Sequence, residues 1–360
     1  MFKGVVFMNL SICTSGRNAV GDSYKDITNN IMNPEEYVIV VPEGYRKEEF
    51  GKPFRKVLLD NFTHSKFRIL NAVLYAFKLR KLIISEKIEQ IFLYFDNQWF
   101  VPIFSCFLIG LDIKIIAWIH DPILHIGVNR REKLYRYLNS LLLFKRITRF
   151  IVSYNEGVDI LENEYGIPYS KIRCIYLPEM LSMEFPDIAE SEESIKYDFI
   201  FWGRIEAYKG IERIIDFAKA MPDKKFLIIG RGKCEEMVKE KCLHLDNICF
   251  KNEYVADYAL AKYIKESRYV LLPYIATTGS QTVSIANYYG KPVIASNTGC
   301  FKDYITDRVN GLKLSFAKDE DTISIIRNLD NIHFDAKLIR RHCNEKFSIH
   351  SIVSNIVEMM

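Results

Sequence analysis

The segment FWGRIEAYKGI, residues 201–211, decides how the second half of this 360-residue chain is interpreted. A strand-like apolar run ends at its second letter, Gly203 opens a turn, and a helical pattern starts near Gly210. The turn places Arg204 and Lys209 at the carboxyl end of the predicted strand. A guanidinium and an ammonium at that position can hold a diphosphate from two sides. The alternative is two solvated cations on a loop.

Similar apolar runs alternate with longer helical patterns along the whole chain. Several of them, such as FLIIG and PVIAS, are apolar on both faces, which is typical of strands buried between two layers of helices. This alternation predicts an α/β protein with two Rossmann-like, doubly wound domains. The predicted strands are residues 5–10, 37–41, 91–95, 113–119, 149–153, 172–177, 197–202, 225–229, 247–250, 269–273 and 292–296.

The domain boundaries follow from a change of composition. The segment EFPDIAESEESIK is acidic and carries a proline, and a strand-like run restarts after it. We expect an N-terminal domain over residues 1–180, a linker over 181–196, a C-terminal domain over 197–345, and a last helix over 346–360 that crosses back to the N-terminal domain. Ligands bind beyond the carboxyl ends of such sheets, so we expect the site in the cleft between the domains.

The composition excludes several classes of protein. The formal net charge of +4 is small, so no nucleic-acid partner is expected. The eight cysteines form no C-x-x-C pair, which favours a reducing cytoplasm. The start of the chain predicts a first strand and not a signal peptide. The longest apolar stretch, residues 101–120, is interrupted by a glycine and two charges, which argues against a membrane span. No cluster of metal ligands is evident, so neither a metal nor a cofactor is expected.

A second candidate site is the segment LPYIATTGSQTV, residues 272–283. It predicts a strand, then a loop of small polar residues, then a helix with Ser280 as its N-cap. Free amides and the positive end of the helix dipole favour an anion there. The alternative is an ordinary capped helix. The expected ligand contacts are Thr278, Gly279, Ser280, Gln281, Thr282 and Val283.

Other candidates also follow predicted strands. His120 and Asp121 follow a buried run, and a histidine there can donate to a hydroxyl or assist proton transfer, or bond to local backbone instead. Gly16 belongs to a glycine-containing loop that matches neither G-x-G-x-x-G nor a P-loop. Gly230, in a G-x-G turn, and Asn252 complete the set of residues expected to line one edge of the C-terminal sheet.

These motifs resemble the C-terminal domain of GT-B fold, retaining glycosyltransferases. The family is the large bacterial group 1, or family 4, type that builds O-antigens, capsules and exopolysaccharides. The resemblance covers most of the chain and is strongest over residues 197–310. The motifs that carry it are GR and KG at 203–210, GRG at 230–232, and GKPVIAS at 290–296.

The resemblance implies two domains that face each other across a cleft, with the acceptor bound by the N-terminal domain and the nucleotide sugar by the C-terminal one. It implies that Arg204 and Lys209 are diphosphate ligands, that His120 corresponds to the family's N-domain histidine, and that no metal is required. Gly203, Gly230, Asn252 and the 278–283 loop would contact the donor, with Gly16 and Asp121 on the acceptor side. The implied activity is that of a hexosyl- or related glycosyltransferase that acts on a glycan or lipid-linked acceptor in bacterial surface polysaccharide synthesis.

The chain departs from this family at two positions. Many members carry two glutamates eight positions apart beside the donor, and alignment on the GKP motif places Thr277 and Ile285 there. The loop resembles a subgroup variant with the same backbone role. Two alternatives stay open, namely a catalytically silent nucleotide-sugar-binding paralogue or scaffold, and a GT-B-like nucleotide-sugar epimerase.

Two segments of the N-terminal half mix basic residues with leucines and aromatic residues. Residues 65–82 and 129–150 predict basic helices with an apolar face, which is typical of helices that dock peripherally on an anionic membrane. The alternative is that the apolar faces pack on the sheet. The basic residues are Lys66, Arg68, Lys78, Arg80 and Lys81 in the first segment, and Arg130, Arg131, Lys133, Arg136, Lys145, Arg146 and Arg149 in the second.

Overall fold

The computed structural model describes residues 8–14, 19–31, 33–42, 50–51, 54, 56–60, 68–95, 100–123, 130–179, 194–316 and 320–359. The chain divides into two compact units. Unit 1 comprises Met1–Leu177 with Ile349–Met360, and unit 2 comprises Pro178–Ser348. Most of the expected linker, residues 181–196, lies outside the described residues.

Each unit is built on one sheet in which all neighbouring strands run parallel. The seven-stranded sheet of unit 1 has the order β3-β2-β1-β4-β5-β6-β7, and the six-stranded sheet of unit 2 has the order β10-β9-β8-β11-β12-β13. The strands are β1 (Met8–Cys13), β2 (Tyr37–Pro42), β3 (Lys56–Asp60), β4 (Ile88–Phe95), β5 (Lys114–Ile119), β6 (Arg149–Val152), β7 (Ile172–Cys174), β8 (Tyr197–Trp202), β9 (Phe226–Ile229), β10 (Ile248–Lys251), β11 (Ser267–Leu272), β12 (Val293–Ser296) and β13 (Gly311–Leu314).

Helices connect the strands, as right-handed crossovers between parallel strands require. They are α1 (Ala19–Ile31), α2 (Arg68–Ser85), α3 (Phe100–Phe107), α4 (Arg130–Leu142), α5 (Asn155–Tyr165), α6 (Ile211–Ala220), α7 (Glu235–Cys242), α8 (Asp257–Lys265), α9 (Thr282–Tyr288), α10 (Phe301–Tyr304), α11 (Glu320–Arg327), α12 (Ala336–Phe347) and α13 (Ile349–Val357). Within the described ranges, no helix is both long enough and apolar enough to cross a bilayer.

Strand β5 shows why the central strands are apolar on both faces. Ile115, Ala117 and Ile119 join one buried hydrophobic cluster of unit 1, while Ile116 and Trp118 join a second cluster. Successive side chains of a strand point to opposite faces, so both faces of this sheet are covered and both need apolar residues.

The last helix, α13, belongs to unit 1 although the chain reaches it from unit 2. It packs on α1, where Ile352 and Ile356 enter the same buried cluster as Tyr24 and Ile27.

The strand predictions differ from the structure at the edges and at the first strand. The first strand was predicted over residues 5–10, but β1 continues to Cys13, because the Ser11 hydroxyl is bonded to the Tyr24 hydroxyl at 2.8 Å and so can be buried inside a strand. Strands β3 and β13 were not predicted. Both are short edge strands that pair with a single neighbour.

A close backbone contact joins the turn after β8 to the end of β11. Gly210 has a φ of 67°, and a Cβ atom there would lie 2.0 Å from the carbonyl oxygen of Pro273. The contact is reinforced by Ile275, whose N–H donates to the Tyr208 carbonyl at 2.7 Å, and by Arg213, whose guanidinium donates to the Pro273 carbonyl at 3.1 Å. Only glycine satisfies both the left-handed φ and the close approach.

We expect Gly210→Ala to lower the free energy of unfolding much more than Gly166→Ala. Gly166 has nearly the same φ, 65°, but a Cβ atom there meets nothing within 4 Å. Both variants incur the left-handed penalty of roughly 1–2 kcal/mol, and Gly210→Ala adds a steric cost of roughly 1–3 kcal/mol. Chemical denaturation measures both. Equal losses in the two variants would mean that the contact with Pro273 contributes nothing.

Candidate functional site

The loops after β8 and β9 are bonded to each other at the carboxyl end of the unit 2 sheet. The Gly203 N–H donates to the Ile229 carbonyl at 3.0 Å, and the Ile205 N–H donates to the Arg231 carbonyl at 2.8 Å. Gly230 allows this approach, because a Cβ atom at its φ of 147° would lie 1.8 Å from the Gly203 carbonyl oxygen. Gly230 therefore brings the two loops together and supports the segment that carries Arg204.

Arg204 and Lys209 are brought together around two tyrosines. A 3-10 turn, Ala207–Lys209, directs the Lys209 ammonium over the ring of Tyr274, with Nζ 3.8 Å from the ring centroid. The same Nζ lies 5.2 Å from the centroid of the Tyr208 ring, and Nη2 of Arg204 donates to the Tyr208 hydroxyl at 3.0 Å. Tyr274 is buried, whereas Arg204 is exposed at the mouth of the sheet.

The surroundings of Lys209 are electropositive. Burial of its ammonium lowers the pKa of Lys209 to about 8, and the positive charge of Arg204 also lowers it, while Tyr208 acts in the opposite direction. In the described part of the chain, no carboxylate forms an ion pair with Arg204 or Lys209. The protein holds a cation over an aromatic ring without a counter-ion, an arrangement that an anionic ligand would complete.

Neutral side chains occupy the two positions where the family resemblance implies glutamates. Thr277 is 6% exposed, and its hydroxyl lies 3.5 Å from Sγ of Cys300. Burial raises the pKa of the Cys300 thiol to about 12, so the thiol stays protonated at neutral pH. Ile285, on α9, is 8% exposed and packs in the interior of unit 2. Neither position supplies a negative charge to the site.

The loop between β11 and α9 differs from its prediction at the helix start. The N-cap residue is Gln281 and not Ser280, and its side chain makes no capping bond. The Ser280 hydroxyl donates instead to the Thr282 hydroxyl at 3.1 Å, and Nε2 of Gln281 donates to the Pro178 carbonyl at 3.1 Å. The prediction of Ser280 as N-cap was wrong: its hydroxyl is bonded to the side chain of Thr282, and the helix begins one residue later, after Gln281, whose side chain has a partner distant in sequence.

The other residues of this loop that were predicted to contact the donor differ in how far their side chains are exposed. The Thr278 side chain is buried, Gly279 is partly exposed, and Val283 is fully buried. Of Val283, therefore, only the backbone N–H is left to meet a ligand. Asn252, after β10, has its side-chain amide 3.1 Å from a carboxylate oxygen of Glu235 and 3.2 Å from the Gly230 carbonyl oxygen. That contact holds the neighbouring loop.

The candidates of the N-terminal half lie in unit 1. His120 follows β5 directly and is half-buried, and its Nδ1 atom has no hydrogen-bond partner. The backbone carbonyl of Asp121 accepts a hydrogen bond from the buried guanidinium of Arg136. Gly16 lies outside the described residues.

Three residues of the site, Tyr208, Tyr274 and Cys300, were not predicted, although the first two lie inside the quoted motifs. For Tyr274, the signal in the sequence was an aromatic residue just after a predicted strand, at the edge of the sheet where the two cations were expected. For Cys300 there was no local signal, because its proximity to Thr277 is purely tertiary. No group of three or more histidine, cysteine or acidic side chains suited to a metal occurs among the described residues.

Comparison with known sequences identifies the C-terminal half. Residues 186–333 match the model of the family described as "Glycosyl transferases group 1". A curated relative, an uncharacterized 41.2 kDa protein in the cps region of Klebsiella pneumoniae, is 24% identical over 242 residues. The match spans 64% of this chain and 65% of that protein, just under two thirds of its length.

Solved structures show the fold of the entire chain. The Anabaena protein Alr3699/HepE in complex with UDP-glucose superposes with a TM-score of 0.76 at 14% identity, over 98% of this chain and 99% of that one. The lipopolysaccharide outer core galactosyltransferase WaaB in its apo form superposes with a TM-score of 0.72 at 14% identity, over 98% of both chains. The predicted fold class, an α/β protein of the GT-B type with two Rossmann-like domains, is confirmed.

We expect the Lys209 ammonium to titrate well below the pKa of a solvated lysine. An NMR titration of the protein with ¹³C-labelled lysine should show one signal with a midpoint near pH 8, compared with about 10.4 for a solvated lysine. The variant Lys209→Arg assigns this signal by removing it. A midpoint near the solvated value would mean that the ammonium is hydrated and is not held over Tyr274.

Proposed function

Because residues 186–333 match the model of the group 1 glycosyltransferases, we propose that the chain transfers a hexose or related sugar from a nucleotide diphosphate-sugar to a glycan or lipid-linked acceptor. The observation that carries this proposal is the pair Arg204 and Lys209, two cations at the carboxyl end of β8 that form no ion pair with any described carboxylate. A diphosphate supplies the negative charge that this site lacks.

The chemistry assigned to these residues is stabilisation of the leaving group. An oxygen of the acceptor hydroxyl bonds to the anomeric carbon of the donor, the bond from that carbon to the diphosphate oxygen breaks, and the hydroxyl proton is released. Negative charge builds up on the departing nucleoside diphosphate. Fixed cations aimed at that charge lower the barrier, because they are already oriented when it develops. We assign retention of configuration on the family resemblance alone.

The remaining candidates divide by unit. Gly203, Gly230 and Asn252 support the loops around the diphosphate, and residues 278–283 offer backbone N–H groups and hydroxyls to the donor. His120, with an unbonded Nδ1, is the residue that we propose for a contact with a sugar hydroxyl or for proton transfer. Asp121 and Gly16 remain candidates for the acceptor side.

Two comparisons support the substrate class. The Anabaena neighbour was solved with UDP and with UDP-glucose, and the Klebsiella relative is described by its place in a cps region. We therefore propose a nucleoside diphosphate donor and a role in bacterial surface polysaccharide synthesis. All eight cysteines are free, which supports a location in the reducing cytoplasm.

A catalytically silent nucleotide-sugar-binding protein or scaffold is the second candidate. Thr277 and Ile285 favour it, because both side chains are buried and neutral where many members carry carboxylates. An epimerase is a third outcome. Incubation with a panel of nucleotide sugars and a lipid-linked acceptor separates the three, since it yields a glycosylated acceptor, an epimerised donor or neither. The donor that raises the melting temperature identifies the nucleotide sugar to use.

We expect Arg204→Ala and Lys209→Ala each to lower turnover at least about tenfold, since loss of a charge-assisted hydrogen bond costs about 1.5–3 kcal/mol. Initial rates with the donor identified by the thermal shift measure this effect. The exposed lysine of α6 provides the control Lys219→Ala, which should keep both its rate and its melting temperature. Wild-type rates in both site variants, with unchanged melting temperatures, would remove Arg204 and Lys209 from the reaction.

We expect turnover to be insensitive to EDTA, because the two cations occupy the place where a divalent ion would otherwise neutralise the diphosphate. Rates before and after chelation and dialysis measure this. A loss of rate that Mg²⁺ or Mn²⁺ restores, in protein whose melting temperature is unchanged, would show that a metal binds with the donor and would contradict the expectation.

A further inference from the structure

Helix α2 of unit 1 is apolar on two faces, and only one of them is covered. Ala72, Ala76, Leu79 and Ile83 pack into the core of unit 1. The other face exposes large apolar side chains at helical spacing, with exposed fractions from 37% for Val73 to 71% for Ile69. The exposed residues are Ile69, Leu70, Val73, Leu74, Phe77 and Ile84.

Helix α4 also exposes large apolar side chains, although its buried positions are polar. Leu134, Tyr137 and Leu141 follow each other at spacings of three and four residues and are 52%, 60% and 43% exposed. Helix α3 contacts both α2 and α4 and contributes mainly buried residues. We call the exposed apolar residues of α2 together with Leu134, Tyr137 and Leu141 the α2–α4 surface. Exposed apolar side chains grouped in this way mark an interaction site.

The described charged side chains that α2 and α4 expose have one sign. Among the described side chains of α2 and α4, the exposed charged ones are Lys78, Lys81, Arg130 and Lys133, all of them basic. Nζ of Lys81 lies 4.6 Å from the centroid of the Phe77 ring, so its ammonium is at the border of the apolar residues. A lysine at this border can keep its ammonium in water while its aliphatic stem and the neighbouring apolar side chains are buried against a partner.

We propose that the α2–α4 surface docks on the interface of an anionic lipid bilayer. The apolar side chains would enter the boundary between headgroups and acyl chains, and the lysines and arginine would meet the lipid phosphates. A second copy of the chain fits less well, because a twofold contact through this surface would bring the same basic residues of two copies together. The proposal concerns unit 1 and does not depend on the proposed transfer reaction.

Two of the basic residues predicted for this role serve the fold instead. The Arg80 guanidinium donates to the carbonyls of Phe107 and Ile109, at 2.6 and 2.9 Å, and so caps the end of α3. Arg136 is buried and donates to the Asp121 carbonyl. The side chains of Lys66, Arg68 and Arg131 lie outside the described part of the structure. Lys145, Arg146 and Arg149 follow α4, the first two in a 3-10 turn and the third in β6. On α2 and α4 the electrostatic part of the docking is therefore assigned to Lys78, Lys81, Arg130 and Lys133.

Vesicle co-sedimentation of the full chain tests the proposal. The wild-type protein should bind vesicles of phosphatidylcholine and phosphatidylglycerol at low salt, bind phosphatidylcholine alone weakly, and dissociate as salt is added. Leu74→Ser/Phe77→Ser and Lys78→Gln/Lys81→Gln should each lower the partition coefficient at least about tenfold. Both double variants should keep the wild-type melting temperature, because the substituted side chains are exposed.

Matched control variants distinguish binding through the α2–α4 surface from non-specific binding by exposed apolar or basic residues elsewhere. Tyr169→Ser/Leu243→Ser removes one aromatic and one leucine that are 66% and 75% exposed elsewhere. Lys219→Gln/Lys262→Gln removes two exposed lysines of unit 2. Both controls should bind as the wild type does. The proposal fails if the wild type does not bind anionic vesicles, or if the control variants lose as much binding as the variants of the α2–α4 surface. It also fails if sedimentation velocity shows a dimer that depends on Leu74 and Phe77.

Discussion

The contact between Gly210 and the Pro273 carbonyl is the constraint on which the candidate site depends. The loops that follow β8 and β11 could diverge, since each leaves a different strand. A glycine in the left-handed region lets the two backbones come into contact. Hydrogen bonds from the Ile275 N–H and the Arg213 guanidinium to backbone carbonyls hold the two loops together. Because Lys209 precedes this glycine and Tyr274 follows this proline, the contact delivers an ammonium onto an aromatic ring.

The electrostatic character of the site follows from what surrounds that ammonium. Tyr208 and Tyr274 offer aromatic faces, Cys300 stays a neutral thiol, and the neutral side chain of Thr277 lies beside that thiol. Among the described residues, no carboxylate forms an ion pair with Lys209. Without one, burial lowers the pKa, and the site favours an incoming diphosphate over any internal partner.

Unit 1 combines burial and exposure on a single helix. A helix that packs on a sheet needs only one apolar stripe, yet α2 carries a second one, and that stripe is exposed in the part of unit 1 that the structure describes. Contact of this apolar stripe with water is unfavourable, and a bound partner would remove that cost. The exposed stripe therefore indicates a binding partner and not a contribution to folding. The neighbouring helix α4 exposes similar residues, and the described charges on both helices favour an anionic partner.

The sequence by itself determined the fold class and the placement of Arg204 and Lys209 at a strand end. Both depend on local patterns, since an apolar run, a glycine turn and a helix start are all encoded within about ten residues. It could not show β3 and β13, whose few residues form strands only because a neighbouring strand pairs with them, nor the roles of Tyr274 and Cys300. It included Arg80 and Arg136 among the membrane-facing residues, whereas backbone carbonyls distant in sequence bind both guanidiniums. It also left open whether the second apolar stripe of α2 is buried. Only the tertiary structure decides such questions, because burial and hydrogen-bond partners depend on which segments meet in space, and a local pattern carries no record of the surface that will cover it.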